Sequence, residues 1–224
     1  MRRGAELARQ EPGLYRRLVE EGEGDAVAML ITTSGTTSHP KLAMLRSQAF
    51  LDHCMAYLRA DPKYPGDNYV SVLPLPWIME QVYAVAQALL ARVTVNFVEE
   101  PETQMSDLRE IGPHFVLLAP RVWEAIAADV KARMMEASPF KQFMFNLGMK
   151  LGMAKMEREG KPSRLAHWIL FRALKDRLGF TYLRSAATGG AALGPETFKF
   201  FLAMGVPLRQ LYGQTEASGA YTIH

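Results

Sequence analysis

The sequence contains a single cysteine, Cys54, among its 224 residues. One cysteine cannot form a disulfide within the chain or supply a multi-cysteine zinc site, and such sparse usage is typical of a reducing, intracellular compartment. No apolar run approaches the roughly 18 residues that a transmembrane helix requires, and no apolar core follows the arginine-containing start, as it would in a signal peptide. We therefore expect a cytoplasmic protein, with peripheral membrane association as the alternative.

The chain also lacks a strong charge of either sign. It has 26 basic and 23 acidic side chains, a formal net charge of +3, and no basic stripe with interleaved aromatic residues. This pattern argues against nucleic acid as a partner, although a small positive balance suits a polyanionic small molecule. Apolar residues make up 49% of the chain and charged residues 22%, which is typical of a globular protein with a sizeable core.

Short runs rich in β-branched and apolar residues alternate with longer helical stretches. This alternation predicts an α/β fold, a mostly parallel sheet with helices on both faces. Ser47 is the expected N-cap of the second helix, and residues 212–218 are expected to form a polar loop. The predicted strands are 26–32, 42–45, 69–73, 93–98, 115–118, 181–186 and 207–211; the predicted helices are 14–21, 47–60, 78–91, 102–111, 121–178 with breaks near 138–139 and 160–162, and 195–204.

A hydroxyl-rich loop separates the first two predicted strands, from Thr33 to Lys41. Hydroxyls and backbone N–H groups donate hydrogen bonds to phosphate oxygens, and Lys41 would add a mobile positive charge. The loop does not match a Walker P-loop, because Pro40 precedes the lysine and the following residues are extended rather than helical. The same composition is also typical of a solvated turn.

A second polar segment, Tyr-Gly-Gln-Thr-Glu, lies near the end of the sequence at residues 212–216. The ring of Tyr212 offers a flat apolar face to a base, the hydroxyl of Thr215 can bond a phosphate oxygen, and Glu216 can ligate Mg²⁺ directly or through water. An ordinary strand-to-loop turn with a capping glutamate would have a similar composition. The two segments together are more specific than either alone.

The two segments resemble the signature motifs of the adenylate-forming superfamily, which includes acyl-CoA synthetases, firefly luciferase and the adenylation domains of peptide synthetases. The first matches Thr-Ser-Gly-Thr-Thr-Gly-x-Pro-Lys-Gly, with Ser38 and Leu42 standing where the motif has glycines, and the second matches Tyr-Gly-x-Thr-Glu throughout. Residues 189–191 resemble the superfamily's Gly-Gly-Ala segment. The Pro-Arg-Val-Trp-Glu run at 120–124 is similar to the long-chain acyl-CoA synthetase branch.

The resemblance implies ATP-dependent activation of a fatty acid to an acyl-adenylate and then to acyl-CoA, with ATP, Mg²⁺ and coenzyme A. Trp77 stands where relatives commonly have a histidine near the carboxylate substrate, and it is expected to line an acyl tunnel or to pack in the core. By resemblance, the site residues are Thr33, Ser34, Gly35, Thr36, Thr37 and Lys41 for the β- and γ-phosphates, Gly190, Ala191 and Tyr212 for adenine, Thr215 for the α-phosphate, Glu216 for Mg²⁺, Trp77, Gly189 and Gly190 for the acyl group, and Thr215, Glu216 and Lys41 for catalysis.

Residues that the superfamily places after the glutamate of its second motif, including a lysine on a small C-terminal domain, have no counterpart here. We therefore expect residues 1–224 to form part of the large N-terminal domain, with little activity in isolation. Two other functions fit the same motifs: a non-catalytic nucleotide-binding module, or an aryl- or amino-acid-adenylating ligase.

The methionine- and phenylalanine-rich stretch at 140–156 predicts a core helix, with contact to a membrane or an acyl chain as the alternative.

Overall fold

A computed structural model of the protein describes residues 2–33, 41–160 and 163–224. The chain opens with two exposed helices, α1 (Arg2–Gln10) and α2 (Leu14–Glu20), neither of which buries a residue. An antiparallel hairpin follows, formed by β1 (Val27–Thr33) and β2 (Lys41–Arg46), and it is a separate two-stranded sheet. The two strands predicted on either side of the hydroxyl-rich loop are therefore present, and they pair with each other.

The main sheet has six strands in the order β4-β3-β5-β6-β7-β8. The first five strands in this order are parallel to their neighbours, and β8 is antiparallel to β7 at the edge. This arrangement confirms the predicted mostly parallel sheet. The strands are β3 (Asn68–Ser71), β4 (Thr94–Phe97), β5 (Phe115–Leu117), β6 (Ser185–Thr188), β7 (Leu208–Gln214) and β8 (Gly219–Ile223).

Helices cover both faces of this sheet. They are α3 (Ser47–Ala60), α4 (Ile78–Glu80), α5 (Gln87–Ala91), α6 (Gln104–Ile111), α7 (Pro120–Met135), α8 (Pro139–Glu159), α9 (Arg164–Ala166), α10 (Arg172–Arg177) and α11 (Pro195–Ala203). A π-helical segment (Gln81–Ala86) joins α4 to α5, and a second one (His167–Phe171) joins α9 to α10. None of the described helices is both long enough and apolar enough to cross a membrane.

Successive residues of each central strand enter two different cores, because side chains alternate across a sheet. Tyr69 packs with α3 and the helix that begins at Ile78, whereas its neighbour Val70 packs with α6, α7, α8 and α11. Phe115 and Val116 divide in the same way on β5. Burial on both faces explains why these strands read as continuous apolar runs in the sequence.

Three local expectations are corrected by the structure. The N-cap position of α3 is Arg46, and the Ser47 hydroxyl instead donates to the carbonyl oxygen of Ala26 at 3.2 Å. The sixth strand begins at Ser185 rather than at 181, because Phe180 and Leu183 are buried in the same core at a spacing of three, whereas a strand would place them on opposite faces; the chain turns there instead. Residues 212–214 are part of β7 rather than of a loop, because they pair with β8.

Candidate functional site

A cavity of about 800 Å³ lies at the carboxyl ends of the parallel strands. Leu73 follows β3, the segment 117–119 ends β5, Gly189 and Gly190 follow β6, and Gln214 ends β7, and all of them line the cavity. In open α/β sheets, ligands bind in the crevice outside the carboxyl ends of the strands. The volume of this cavity is also within the range of small-molecule sites, about 300–1,000 Å³.

The cavity has a group of polar residues in its wall. Thr32 and Thr33, at the end of β1, line it together with Thr215 and Glu216, which form a short 3₁₀ turn after β7. The hairpin also contacts this turn through β2. The fold therefore brings the base of the hydroxyl-rich loop to the second motif, although the two are about 180 residues apart in the sequence.

The two ends of the hydroxyl-rich loop are paired across the hairpin. Thr33 lies opposite Lys41, and its hydroxyl donates to the lysine's carbonyl oxygen at 3.4 Å. Lys41 is exposed and does not line the cavity. The predicted phosphate-binding residues Ser34, Gly35, Thr36 and Thr37 lie outside the described residues, as does Ser38. Leu42 is exposed on β2, so its side chain, which replaces a glycine of the motif, displaces no core residue.

The glycine of the second motif has a direct structural reason. Gly213 is at an irregularity in the pairing of β7 with β8, opposite Ala220. A Cβ atom at Gly213 would stand 2.5 Å from the Cα of Ala220, and still closer to the carbonyl oxygen of Gly219. Only glycine permits this approach of two backbones, and the approach holds the strand immediately before Thr215 and Glu216.

The cavity wall also contains a set of apolar residues. Trp77, Ile78 and Met79 form one wall at the start of the α4 helix, and Leu117 and Leu118 form another at the end of β5. The structure thus brings Trp77 to the cavity together with Gly189 and Gly190, the other two residues predicted for the acyl group. Sequence reasoning missed Leu117, Leu118, Met79 and Leu211; the only available signal was that some of them end predicted parallel strands.

Two predicted adenine-binding residues lie beside the cavity rather than in its wall. The ring of Tyr212 is exposed and packs edge-to-face on Tyr221 at a centroid distance of 5.4 Å. Leu211 and Gly213 line the cavity, so Tyr212, between them on the strand, faces the other way. Ala191 is exposed, and its carbonyl oxygen accepts a hydrogen bond from Gln210 at 3.1 Å. Their role toward adenine stays a prediction.

A buried carboxyl group supports the apolar wall. Glu80 is fully buried, and it accepts hydrogen bonds from the Tyr69 hydroxyl at 2.8 Å and the Ser71 hydroxyl at 2.5 Å. These bonds connect the helix start that carries Trp77–Met79 to β3. Burial raises the pKa of Glu80, and the two hydrogen bonds oppose that shift without cancelling it.

We predict that Glu80→Gln removes a pH-dependent loss of stability. The folded-state pKa is raised, so between about 4.5 and that value the folded chain binds a proton that the unfolded chain has released. The native chain should therefore lose stability as pH rises through this window, and the variant should not. Urea unfolding of both proteins from about pH 4 to pH 8 measures the difference. Identical pH slopes would show that Glu80 does not titrate abnormally.

A magnesium ion would find one carboxylate in the wall of the cavity. Glu216 lines it beside the hydroxyl-bearing Thr33 and Thr215, and no group of three His, Cys, Asp or Glu side chains suited to a metal occurs within the described ranges 2–33, 41–160 and 163–224. Mg²⁺ is commonly held by one or two carboxylates plus substrate phosphates and water. The donor set fits a metal that arrives with a nucleotide, rather than one in an all-protein cage.

The fold and the cavity together define a class: an α/β protein whose ligand site, at the carboxyl edge of a parallel sheet, is lined by both hydroxyl-bearing and apolar residues. Comparison with known proteins makes the assignment specific. The chain belongs to the AMP-binding enzyme family, whose model matches residues 3–224. The recognition of the adenylate-forming superfamily from the two motifs is therefore confirmed.

The relatives agree with this assignment. The chain is 31% identical to the human long-chain-fatty-acid–CoA ligase ACSBG2 over an alignment that covers 97% of this chain and 34% of that protein. The N-terminal domain of FACL13 from Mycobacterium tuberculosis superposes with a TM-score of 0.61 at 18% identity, covering 91% of this chain and 40% of that one. A carboxylic acid reductase didomain from Segniliparus rugosus, in complex with AMP, superposes with a TM-score of 0.62 at 24% identity, covering 91% and 26%. The chain spans about a third of the length of the curated relative.

Proposed function

We propose that the cavity binds the acyl-adenylate of a fatty acid, and that the chain forms the nucleotide- and acyl-binding part of an ATP-dependent acid–thiol ligase. The observation that carries this proposal is that one cavity is lined by two chemically different sets of residues. Thr33 and Thr215 supply hydroxyl-bearing side chains, and Trp77, Ile78 and Leu117 supply apolar ones. An acyl-adenylate has two matching parts, a charged nucleotide and a hydrocarbon chain.

In the reaction that we propose, the fatty acid carboxylate attacks the α-phosphorus of ATP, an acyl–phosphate bond forms, and pyrophosphate leaves. The thiol of coenzyme A then attacks the acyl carbon and AMP leaves. Negative charge concentrates on the phosphates in the first step, so positioned donors account for most of the catalysis. Thr215 is assigned to the α-phosphate oxygens, and Lys41 with the hydroxyls of its loop to the β- and γ-phosphates.

Magnesium belongs to the same proposal. Glu216 would hold the ion, with the hydroxyls nearby to orient its water ligands. Bound there, the ion would neutralise charge on the phosphate oxygens. Glu216 itself contributes a fixed negative charge that selects a nucleotide carrying a cation over one without it.

We predict that Thr215→Val weakens binding of an acyl-adenylate mimic. The probe is a palmitoyl-sulfamoyl adenosine, in which a stable sulfamoyl group replaces the α-phosphate. Loss of one hydrogen bond to a charged group should lower affinity roughly 10- to 100-fold. Isothermal titration calorimetry measures it, and Thr222→Val, on β8 outside the cavity, is the matched control. Equal affinities for the two variants would remove Thr215 from the site.

The acyl group of the mimic distinguishes the competing functions. The apolar wall predicts tighter binding of the palmitoyl mimic than of aryl- or aminoacyl-sulfamoyl adenosines; the reverse order would assign the chain to another branch of ligases. Exchange of labelled pyrophosphate into ATP in the presence of palmitate separates a catalytic protein from a non-catalytic nucleotide-binding module.

We also propose a cytoplasmic location, in keeping with the lone buried thiol of Cys54.

A further inference from the structure

The helix α8 (Pro139–Glu159) carries apolar side chains on two different sides. Its inner side packs on neighbouring helices: Phe145 is buried in the core, and Gly148 and Gly152 allow close contact with Leu170 and the backbone of Ala203. Its outer side exposes a row of large apolar side chains at spacings of three and four residues. This row, here called the α8 stripe, consists of Phe140, Phe143, Leu147 and Leu151.

The stripe places large exposed apolar side chains next to one another. Phe140 is 72% exposed and Phe143 is 61% exposed, and residues three and four apart lie side by side on a helix. The neighbouring helical segment, which touches α8 where Leu170 meets Gly148, exposes two more large apolar residues, Leu165 and Trp168. Contiguous exposed apolar surface of this kind marks a site that docks on something.

Positive charge is concentrated in the same part of the chain. Residues 139–172 contain seven basic and two acidic side chains, a net charge of +5, whereas the whole chain has only +3. Lys141, Lys150 and Arg158 are exposed on α8 itself, and the Arg172 guanidinium lies over the Trp168 ring at 5.2 Å. The remainder of the chain is therefore slightly negative, and the positive charge accompanies the apolar stripe.

We infer that the α8 stripe docks on an anionic lipid surface, with its phenylalanines inserted at the headgroup boundary and the flanking basic residues on the headgroups. Phenylalanine, leucine and tryptophan bordered by lysine and arginine are typical of helices that lie in the plane of a membrane interface. Protein interfaces, in contrast, are depleted in lysine. A second copy of the chain would bring two faces of the same positive sign together, which disfavours self-association.

The test is co-sedimentation of the 224-residue protein with vesicles, without any nucleotide or fatty acid, so the outcome does not depend on the proposed ligase activity. We expect binding to phosphatidylcholine vesicles that contain phosphatidylserine, weaker binding to phosphatidylcholine alone, and loss of binding at high salt. Phe140→Ser with Phe143→Ser should weaken binding by roughly tenfold for each phenylalanine. Lys141→Gln and Lys150→Gln should each weaken it about fivefold.

The matched control is Leu89→Ser with Phe97→Ser. These side chains are 75% and 60% exposed, as open as the two phenylalanines, but they lie on α5 and β4, away from α8. The control should bind vesicles as the native protein does, and all the changed positions are exposed, so circular dichroism should show intact folds. No vesicle binding by the native protein, or equal binding by both double variants, would overturn the proposal. A dimer that the phenylalanine variant converts to a monomer would instead assign the stripe to a second copy.

Discussion

Asp61→Asn should lower the free energy of unfolding by about 3–5 kcal/mol, the usual consequence of removing one partner from a buried ion pair. Asp61 is buried at the amino-terminal side of the sheet, opposite the cavity. Its carboxylate accepts from Lys63 at 2.5 Å, Ser185 at 2.6 Å and Arg209 at 3.0 Å. The Lys63 ammonium is also buried and lies over the Phe115 ring at 4.9 Å.

The size of this effect follows from Lys63. Burial lowers its pKa, and the Asp61 carboxylate opposes that shift. Without the carboxylate, the lysine either remains as an uncompensated buried charge or loses its proton, which at pH 7 costs about 5 kcal/mol from its ordinary pKa. Urea unfolding at pH 7 measures the difference. Asp129→Asn is the control, because Asp129 pairs with Arg133 at 2.8 Å on the exposed surface, and such pairs contribute about 0–1 kcal/mol. Similar losses for both variants would contradict the argument.

Gly213→Ala should disable the site and destabilise the fold together. The added methyl would meet the backbone of Gly219 and Ala220, which cannot move without separating β7 from β8. Overpacking of this kind costs about 3 kcal/mol. Thr215 and Glu216 follow directly after this strand, so their displacement should also lower the affinity of the palmitoyl-sulfamoyl adenosine by roughly tenfold or more.

Gly194→Ala provides the comparison for this variant. Gly194 precedes α11, its φ of −56° is open to any residue, and a Cβ there meets nothing within 4 Å. This control should change neither the binding of the mimic nor, beyond about 1 kcal/mol, the stability. Thermal unfolding with and without the mimic reads both quantities in one experiment. An alanine at 213 that behaves like the alanine at 194 would mean that β7 and β8 do not approach as described.

The alternation of strands and helices was sufficient to predict the parallel sheet, because strands buried on both faces produce continuous apolar runs. Segments in which local composition and long-range packing favour different structures could not be predicted in this way. The run that begins at Thr181 has the composition of a strand, but Phe180 and Leu183 must both reach the core, and the chain turns there instead. That choice depends on long-range packing, which a local pattern does not contain.

The residues of the candidate site also differ in whether a local sequence pattern could identify them. Thr215 and Glu216 were identifiable because motif residues stand together in the sequence, whereas Leu117 and Leu118 read as an ordinary buried strand end. Only the order of strands in the sheet shows which end of β5 faces a cavity. The direction of Tyr212 could not be predicted while residues 212–218 were taken as a loop, because strand alternation sets it only once β7 is known to extend through Gln214.

The hairpin that carries the hydroxyl-rich loop stands apart from the six-stranded sheet, and Ile31 and Leu45 are its buried large side chains. A two-stranded hairpin has little stability of its own, so this part of the site opens locally at a lower free energy than the sheet does. Substitutions on its exposed side, such as the leucine at position 42, then leave the global stability almost unchanged. The two halves of the site are therefore expected to differ in local stability: the hairpin half can open by itself, while the half at the strand ends opens only together with the core.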